Sequence, residues 1–295
     1  MSAYRRLALP AFICAAACAA AMPALAQESP ADPGNDVTVT GTLDREQEVR
    51  DFVRALTPGP ANGQLARFED AICPGVFGLS GAPREAVVAR MRRVGEAAGL
   101  RLGGADCRPN VLLMVTRDKR ALIQALVRSH PHFFDEEENS PRRILEEPGA
   151  AAAWHATAEL NADGRALPVQ GGFRVNQTTR NPGRITEATR PAFFAAAVVV
   201  EQRALAGLSI NQLADYALMR ALARTDPHRL PQGSQRSILS VLDASPDAEV
   251  PTTLTRWDMG FLRGLYASQA NLRTSQQRGQ IQRQVGSDLD RPAQN

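Results

Sequence analysis

The sequence predicts an α/β (α+β) fold: a mixed sheet with helices packed on it, a helix-rich C-terminal part and one disulfide bond. Two apolar runs, over residues 111–115 and 193–200, have the composition of buried strands. In the first half, strand-like segments alternate with segments of helical period, which is typical of α/β layers. From Ser209 onward the helical period dominates, so we expect the C-terminal part to be mostly helical.

The N-terminal segment has the three parts of a secretory signal peptide. Arg5 and Arg6 precede an uncharged run from Leu7 to Leu25, and Ala24-Leu25-Ala26 matches an A-x-A cleavage site. We therefore expect residues 1–26 to be cleaved, and the mature chain to be periplasmic or secreted without a membrane anchor. The alternative is an uncleaved transmembrane anchor, which the small, alanine-rich run disfavours.

Most of the net positive charge is carried by the predicted signal peptide. Removing residues 1–26 subtracts two arginines and no acidic residue, which lowers the formal net charge from +3 to +1. The remaining arginines are interleaved with acidic residues, and Lys119 is the only lysine. Because nucleic-acid binding needs a one-sided basic patch, we expect no nucleic-acid partner.

Two cysteines, Cys73 and Cys107, remain after cleavage. Because the periplasm is oxidising, we expect them to form a disulfide bond. A bridge over this separation would remove loop-closure entropy equivalent to about 3 to 4 kcal/mol in the chain-entropy model. The alternative is a reactive cysteine nucleophile, which is less common for a pair of cysteines in this compartment.

The first half of the mature chain predicts alternating strands and helices. Residues 27–35 are rich in proline, glycine and acidic residues and predict a flexible leader. Apolar periodicity and β-branched content then place the following elements. These are a strand over 36–41, a helix over 44–57, a strand over 65–72, a helix over 84–98, the strand over 111–115 and a helix from Leu122.

The second half begins with a surface segment over 131–150 that contains a short helix. A hairpin is expected between 154–159 and 172–175, followed by the strand over 193–200. The helices that follow are indicated by capping pairs and apolar periodicity. They are a helix over 209–224 capped by Ser209 and Gln212, a short helix over 238–242, and a helix after Thr255 and Asp258. We expect a single domain over 36–285, with two lobes, 36–130 and 150–285, as the alternative, and a disordered tail over 286–295.

The sequence gives little support for a metal site or for a catalytic nucleophile. Zinc hydrolases need three or four converging ligands, and the sequence has four histidines and no H-E-x-x-H motif. His130 and His132 are the metal candidates, with Asp135 and Glu136 as oxygen donors; the alternative is that both histidines are solvated at a helix end. We expect no metal site and no cofactor. Gly78-Leu79-Ser80-Gly81-Ala82 lacks the last glycine of a serine-hydrolase elbow.

Three segments carry a resemblance to a known group of proteins. They are Cys107–Leu113, Leu213-Ala214-Asp215-Tyr216 and Thr255–Tyr266. The chain resembles uncharacterised exported proteins of α-proteobacteria, whose layout is similar to zincin-like secreted proteins. The resemblance implies that the helix over 209–224 stands where a zincin carries its zinc ligands. Gln212, Asp215 and Tyr216 occupy that helix instead of histidines and a glutamate, so the resemblance implies a scaffold without zinc peptidase activity.

Two functional hypotheses follow. The first is a non-catalytic domain that binds an unknown envelope or periplasmic protein or ligand, with a candidate surface at Asp215, Tyr216, Trp257, Asp258 and Tyr266. It predicts a contiguous exposed apolar patch near Trp154, Trp257 or Tyr266. The alternative is a hydrolase or peptidase with a site assembled from distant residues, with His130, His132, Asp215 and Tyr216 as candidates.

Overall fold

A five-stranded mixed sheet lies at the centre of the fold. The structure is a computed structural model that describes residues 40–134, 140–179, 183, 186–231, 234–245 and 247–292. The predicted signal peptide, the leader and residues 36–39 of the predicted first strand lie outside the described residues. The chain from Thr40 onward belongs to one compact unit.

The longest strand, β7, organises the sheet. The strands are β1 (Arg67–Phe68), β2 (Pro74–Phe77), β3 (Val111–Thr116), β4 (Ala151–Asn161) and β7 (Thr189–Glu201), with β5 (Val169–Gln170) and β6 (Phe173–Arg174) in a separate hairpin. On one side β7 pairs with β4 in antiparallel orientation. On its other side β7 runs parallel to β1 and then to β3, and β2 lies parallel to β3 at the outside.

Seven α-helices occur in the described part of the chain. They are α1 (Thr40–Leu56), α2 (Gly81–Ala97), α3 (Lys119–Ser129), α4 (Pro141–Leu145), α5 (Ile210–Leu222), α6 (Arg256–Ala267) and α7 (Thr274–Asp290). Both predicted capping boxes are present, with Ser209 and Gln212 at the start of α5 and Thr255 and Asp258 at the start of α6. None of these helices is both long enough and apolar enough to cross a membrane.

Each face of the sheet packs against its own set of helices. The larger core joins α1, α2, α5, α6 and α7 to alternate strand residues such as Val111, Leu113 and Val198. The smaller core lies on the opposite face, where Ile123 of α3 and Ile144 of α4 pack with Trp154 and Val199. Successive side chains along a strand point to opposite faces of the sheet. The side chains of β3 and β7 are therefore divided between the two cores.

The predicted fold class is confirmed, including the mixed sheet, the helix-rich C-terminal part and the disulfide bond. The bridge joins Cys73, just before β2, to Cys107 in the loop before β3, with the two Cα atoms 6.0 Å apart. It therefore fixes the start of an outer strand to the loop that leads into its neighbour.

Several element boundaries differ from prediction. Thr40 and Gly41, expected in a strand, begin α1. The single strand expected over 65–72 is instead the two-residue β1, and Ile72 forms an isolated bridge to Leu102 before β2 begins. β4 pairs with β7 rather than with 172–175, because the intervening residues form their own hairpin.

The prediction of a disordered tail over 286–295 is wrong for its first five residues. α7 continues to Asp290 and so includes the first five residues of the segment 286–295. Ile281 and Val285 are fully buried and Asp288 is 5% exposed, so one face of this polar helix packs into the core. Residues 293–295 lie outside the described part of the chain.

Candidate ligand-binding groove

An apolar groove of about 650 Å³ opens on the face of the sheet that carries α3. Residues from five elements line it. They come from β2, β3 and the residue after β2 (Phe77, Gly78, Leu112, Met114, Val115, Thr116), from α3 and the turn after it (Leu122, Leu126, His130, Phe133, Phe134), and from β4 and β7 (Trp154, Ala156, Ala195, Ala196, Ala197). Next to β2 the groove is open to solvent, and Phe77 is 52% exposed.

Small side chains on two adjacent strands create the floor of the groove. Ala156 of β4 is paired with Ala195 of β7, and Ala197 follows two residues later on the same face. Phe194 lacks a partner on β4, because the register shifts by one residue at this point. The alanine methyl groups fill little of the space between the sheet and α3, so a cavity remains there.

The walls of the groove are aliphatic and aromatic. Leu122 and Leu126 lie one turn apart on α3 and present one wall. Phe134 and Trp154 close the end near the C-terminus of α3, with ring centroids 5.4 Å apart. Both of these rings are buried. The groove is therefore a shaped concavity rather than a flat apolar patch.

Polar groups in the groove are few. The Thr116 hydroxyl lies 3.3 Å from the backbone carbonyl of Asp118, and the His130 Nδ1 atom lies 2.8 Å from the Ser129 hydroxyl. None of the described residues that line the groove is Asp, Glu, Lys or Arg. A ligand in this groove would thus be recognised by its apolar surface and shape, with any charged group left at the solvent-exposed opening.

Asp215 and Tyr216, predicted to lie on a binding surface, are buried within the larger core. The Asp215 carboxylate accepts hydrogen bonds from Arg90, Thr253 and the Leu254 amide. Tyr216 is 1% exposed, and its hydroxyl accepts a hydrogen bond from Arg220. Both side chains are buried and have hydrogen-bond partners within the protein. The predicted binding surface is therefore wrong at these two positions.

The α6 candidates also serve the packing of the helix. Asp258 is fully buried and accepts hydrogen bonds from the hydroxyls of Ser237 and Thr255 and from the Ile238 amide. Tyr266 donates its hydroxyl hydrogen to the Leu222 carbonyl, 2.9 Å away. Trp257 packs edge-to-face on a phenylalanine of α1. These three residues therefore do not form the predicted exposed patch; of the named aromatic residues, Trp154 is the one beside a cavity.

The described candidates for a hydrolytic site are not brought together. His130 borders the groove on one face of the sheet, whereas Asp215 and Tyr216 belong to α5 in the core on the other face. The side chain of His132 and residues Asp135 and Glu136 lie outside what the structure describes. Among the described residues, no group of three or more His, Cys, Asp or Glu side chains is placed to hold a metal ion.

A charged cluster lies near the carboxyl ends of β3 and β7, where parallel sheets often carry active sites. Lys119 donates to the carbonyls of Glu147, Gly149 and Ala151 at 2.7, 2.7 and 3.1 Å. An ammonium group has three donors, so this lysine is saturated by backbone acceptors. Burial lowers its pKa. Arg220 binds the Glu147 carboxylate at 2.5 Å. The cluster therefore anchors the segment before β4 to α3 and α5.

Comparison of the sequence with protein-family models and with curated proteins, and comparison with solved structures, gave no match. The resemblance to exported α-proteobacterial proteins stays a prediction. The geometry of the groove is therefore the basis for assigning a function.

The groove escaped prediction because its signal is spread over distant segments. Alanine is depleted in strands, yet alanines recur in both β4 and β7. Small side chains at paired positions of two neighbouring strands would indicate unfilled space next to that face of the sheet. The pairing that brings Ala156 beside Ala195 cannot be read from the sequence, because it depends on a register shift.

Proposed function

We propose that the mature chain is an exported, non-catalytic protein that binds an elongated apolar ligand in the groove beside α3. The observation that carries this proposal is an apolar concavity of about 650 Å³ lined by described residues without a charged side chain. This volume falls within the range of roughly 300 to 1,000 Å³ that is typical of small-molecule sites.

The shape of the groove supports a chain-like ligand such as a fatty acyl group. One wall follows α3 from Leu122 to His130, and eight residue steps along a helix extend about 12 Å. The alanine floor allows methylene groups to lie close to the sheet, and the opening near Phe77 leaves room for a polar headgroup in water. Each buried methylene would contribute about 0.8 kcal/mol to binding.

Export is part of the proposal and is supported by the N-terminal sequence pattern and by the disulfide bond. The hydrolase alternative has weaker support. Asp215 and Tyr216 have hydrogen-bond partners within the core, and Lys119 is saturated by backbone carbonyls. Near-stoichiometric zinc in the mature protein, purified without chelators and measured by mass spectrometry, would favour the hydrolase.

The proposal can be tested by binding measurements on the mature protein, residues 27–295. The probes are palmitate and the fluorescent apolar dye N-phenyl-1-naphthylamine, with palmitate displacing the dye. Ala195→Leu and Ala156→Leu place larger side chains on the groove floor, so each should weaken dye and palmitate binding at least about tenfold.

Ala89→Leu is the matched control, because Ala89 is exposed on α2 and remote from the groove floor. It should bind both probes like the unaltered protein. Thermal unfolding of all three variants establishes that they are folded. Equal binding by the groove variants and the control would contradict the proposal, as would undetectable binding of both probes to the unaltered protein.

A further inference from the structure

The connection between β4 and β7 includes an exposed arm. The arm is the first part of this connection, residues 162–179, and contains the β5–β6 hairpin. Gly171 and Gly172 form the turn with φ of +59° and +85°, and type I′ hairpin turns require positive φ at both central residues.

The tip of this arm presents apolar side chains to solvent. Val169 is 68% exposed and Phe173 is 77% exposed, more than any other large apolar residue in the described part of the chain. Val169 is paired with Arg174 across the hairpin, and Gln170 is paired with Phe173, so the two apolar side chains lie on opposite faces of the ribbon. A two-stranded ribbon with both apolar groups in water gains little stability from them.

The base of the arm is held in place. The Asn161 side chain donates to the Gln177 carbonyl at 2.6 Å and accepts from the Arg165 amide at 2.9 Å. The Asp163 carboxylate accepts from the Thr179 amide at 2.8 Å. The apolar tip is therefore presented on a base that is tied to the end of β4.

The exposed charged side chains in the described part of the arm are both arginines. Arg165 and Arg174 are exposed, and no described ion pair includes either of them. Asp163 and Glu187 bound this part of the sequence, and the residues between them include four arginines and no acidic residue. The hairpin therefore has exposed arginines near its apolar tip and no exposed carboxylate in the described part of the arm.

We propose that the arm docks on an anionic lipid bilayer, with Val169 and Phe173 entering the interface and Arg165 and Arg174 contacting lipid phosphates. Apolar tips flanked by arginines combine the two attractions that hold peripheral proteins at membranes: burial of apolar surface and attraction to anionic headgroups. The arm is separate from the groove residues, so this proposal stands independently of the proposed ligand-binding function.

The test is co-flotation of the mature protein with vesicles of phosphatidylethanolamine and phosphatidylglycerol, compared with vesicles of phosphatidylcholine alone. Binding should be stronger to the anionic vesicles and should weaken as salt is added. Arg165→Gln and Arg174→Gln should each weaken binding about fivefold. Phe173→Ser should weaken it about tenfold.

Matched controls come from exposed positions outside the arm. Arg84→Gln and Arg93→Gln remove charges from α2, and Ile210→Ser removes a 38% exposed apolar side chain from α5. All three should bind anionic vesicles like the unaltered protein. Absence of vesicle binding, or equal losses in the arm and control variants, would overturn the proposal.

Polyphosphate, a soluble anionic polymer, distinguishes the other class of partner. If polyphosphate binding depends on Arg165 and Arg174 while Phe173→Ser leaves vesicle binding unchanged, the arm recognises an anionic polymer and the membrane proposal is wrong. If Phe173→Ser weakens vesicle binding and leaves polyphosphate binding unchanged, the apolar tip enters the lipid as proposed.

Discussion

The carboxylate of Asp215 accepts two hydrogen bonds from the guanidinium of Arg90, at 2.7 and 2.8 Å, and so links α5 to α2. Asp215 is completely buried, whereas the Arg90 side chain is 22% exposed. The Thr253 hydroxyl and the Leu254 amide donate further hydrogen bonds to the same carboxylate. A buried carboxylate is tolerated when its charge is paired and its lone pairs are occupied, and both conditions are met here.

Replacing Arg90 should therefore destabilise the fold. Arg90→Met leaves the Asp215 charge buried without a cation, and we expect it to lower the free energy of unfolding by about 3 kcal/mol. Arg84→Met on the same helix removes an exposed arginine and should change it by less than about 0.5 kcal/mol. Urea unfolding followed by circular dichroism measures both values. Equal stability of the two variants would show that the ion pair contributes little.

Local sequence signals predicted the elements whose determinants are short-range. Ser209 with Gln212 and Thr255 with Asp258 mark helix starts, because a capping box involves residues only three positions apart. The pairing of Cys73 with Cys107 was predicted from the expected periplasmic compartment and from the absence of other cysteines after the expected cleavage. These predictions needed no knowledge of the tertiary fold.

The candidate surface needed knowledge that the sequence lacks. Asp215 and Asp258 are polar residues on helices, and the sequence could not show that Arg90 and Ser237 reach them from distant segments. Burial of a charged residue depends on such long-range partners. The groove likewise depends on which face of the sheet a helix leaves uncovered, and this is a property of the assembled layers.

His155 should make the protein acid-sensitive. Burial, with a smaller contribution from the charge of Arg220, lowers the pKa of His155 to about 3, and its Nε2 lies 3.1 Å from the Ala221 carbonyl. The unfolded chain, with a histidine pKa near 6.5, binds a proton that the folded protein excludes. The contribution of His155 to the free energy of unfolding should therefore fall by about 1.4 kcal/mol for each pH unit between 6.5 and about 3.

The contribution of His155 is the difference in stability between the unaltered protein and His155→Gln, measured by urea unfolding at several pH values. That difference should shrink as the pH falls from neutral toward 4. His228→Gln, at a partly exposed position, is the control for histidine removal. A difference that stays constant with pH would mean that His155 is not the group responsible.

Asp258 should act in the opposite direction. Burial raises the pKa of Asp258 from 3.8 to about 6, although the Ser237, Ile238 and Thr255 donors oppose the shift. Between these pH values the folded protein binds a proton that the unfolded chain releases. The stability contributed by this group is therefore present below pH 3.8 and lost as the pH rises through 6, with an amplitude of about 3 kcal/mol.

Asp258→Asn removes this titration and keeps a side chain of the same size. We expect the stability of the unaltered protein relative to Asp258→Asn to decrease as the pH is raised from 4 to 7, and urea unfolding at each pH measures it. An increase over the same range would mean that the hydrogen bonds to the carboxylate outweigh its burial.

The disulfide bond between Cys73 and Cys107 should contribute measurably to stability. It closes a loop with a sequence separation of 34 residues, and its loss should lower the free energy of unfolding by about 3 kcal/mol. The Cys73→Ser/Cys107→Ser double variant and the unaltered protein in reductant should show the same loss by urea unfolding. Titration of free thiols in the oxidised protein should give none, and an unchanged stability in reductant would contradict the expected role.

Gly78 follows β2 at the groove and has no room for a side chain. Its φ is +81°, and a Cβ atom there would overlap the backbone carbonyl of Val115 on β3. Gly78→Ala therefore combines left-handed backbone strain with a steric clash, and we expect it to cost at least about 2 kcal/mol.

Two other glycines separate the effect of backbone strain from that of the steric clash. Gly81 has a φ of +59° in open space, so Gly81→Ala should cost about 1 kcal/mol from strain alone. Gly104 has neither restriction, so Gly104→Ala should leave stability nearly unchanged. Thermal unfolding should rank the variants in this order, and because Gly78 lines the groove, Gly78→Ala should also weaken dye binding. Equal or greater stability of Gly78→Ala relative to Gly81→Ala would contradict the close approach of Gly78 to the backbone of β3.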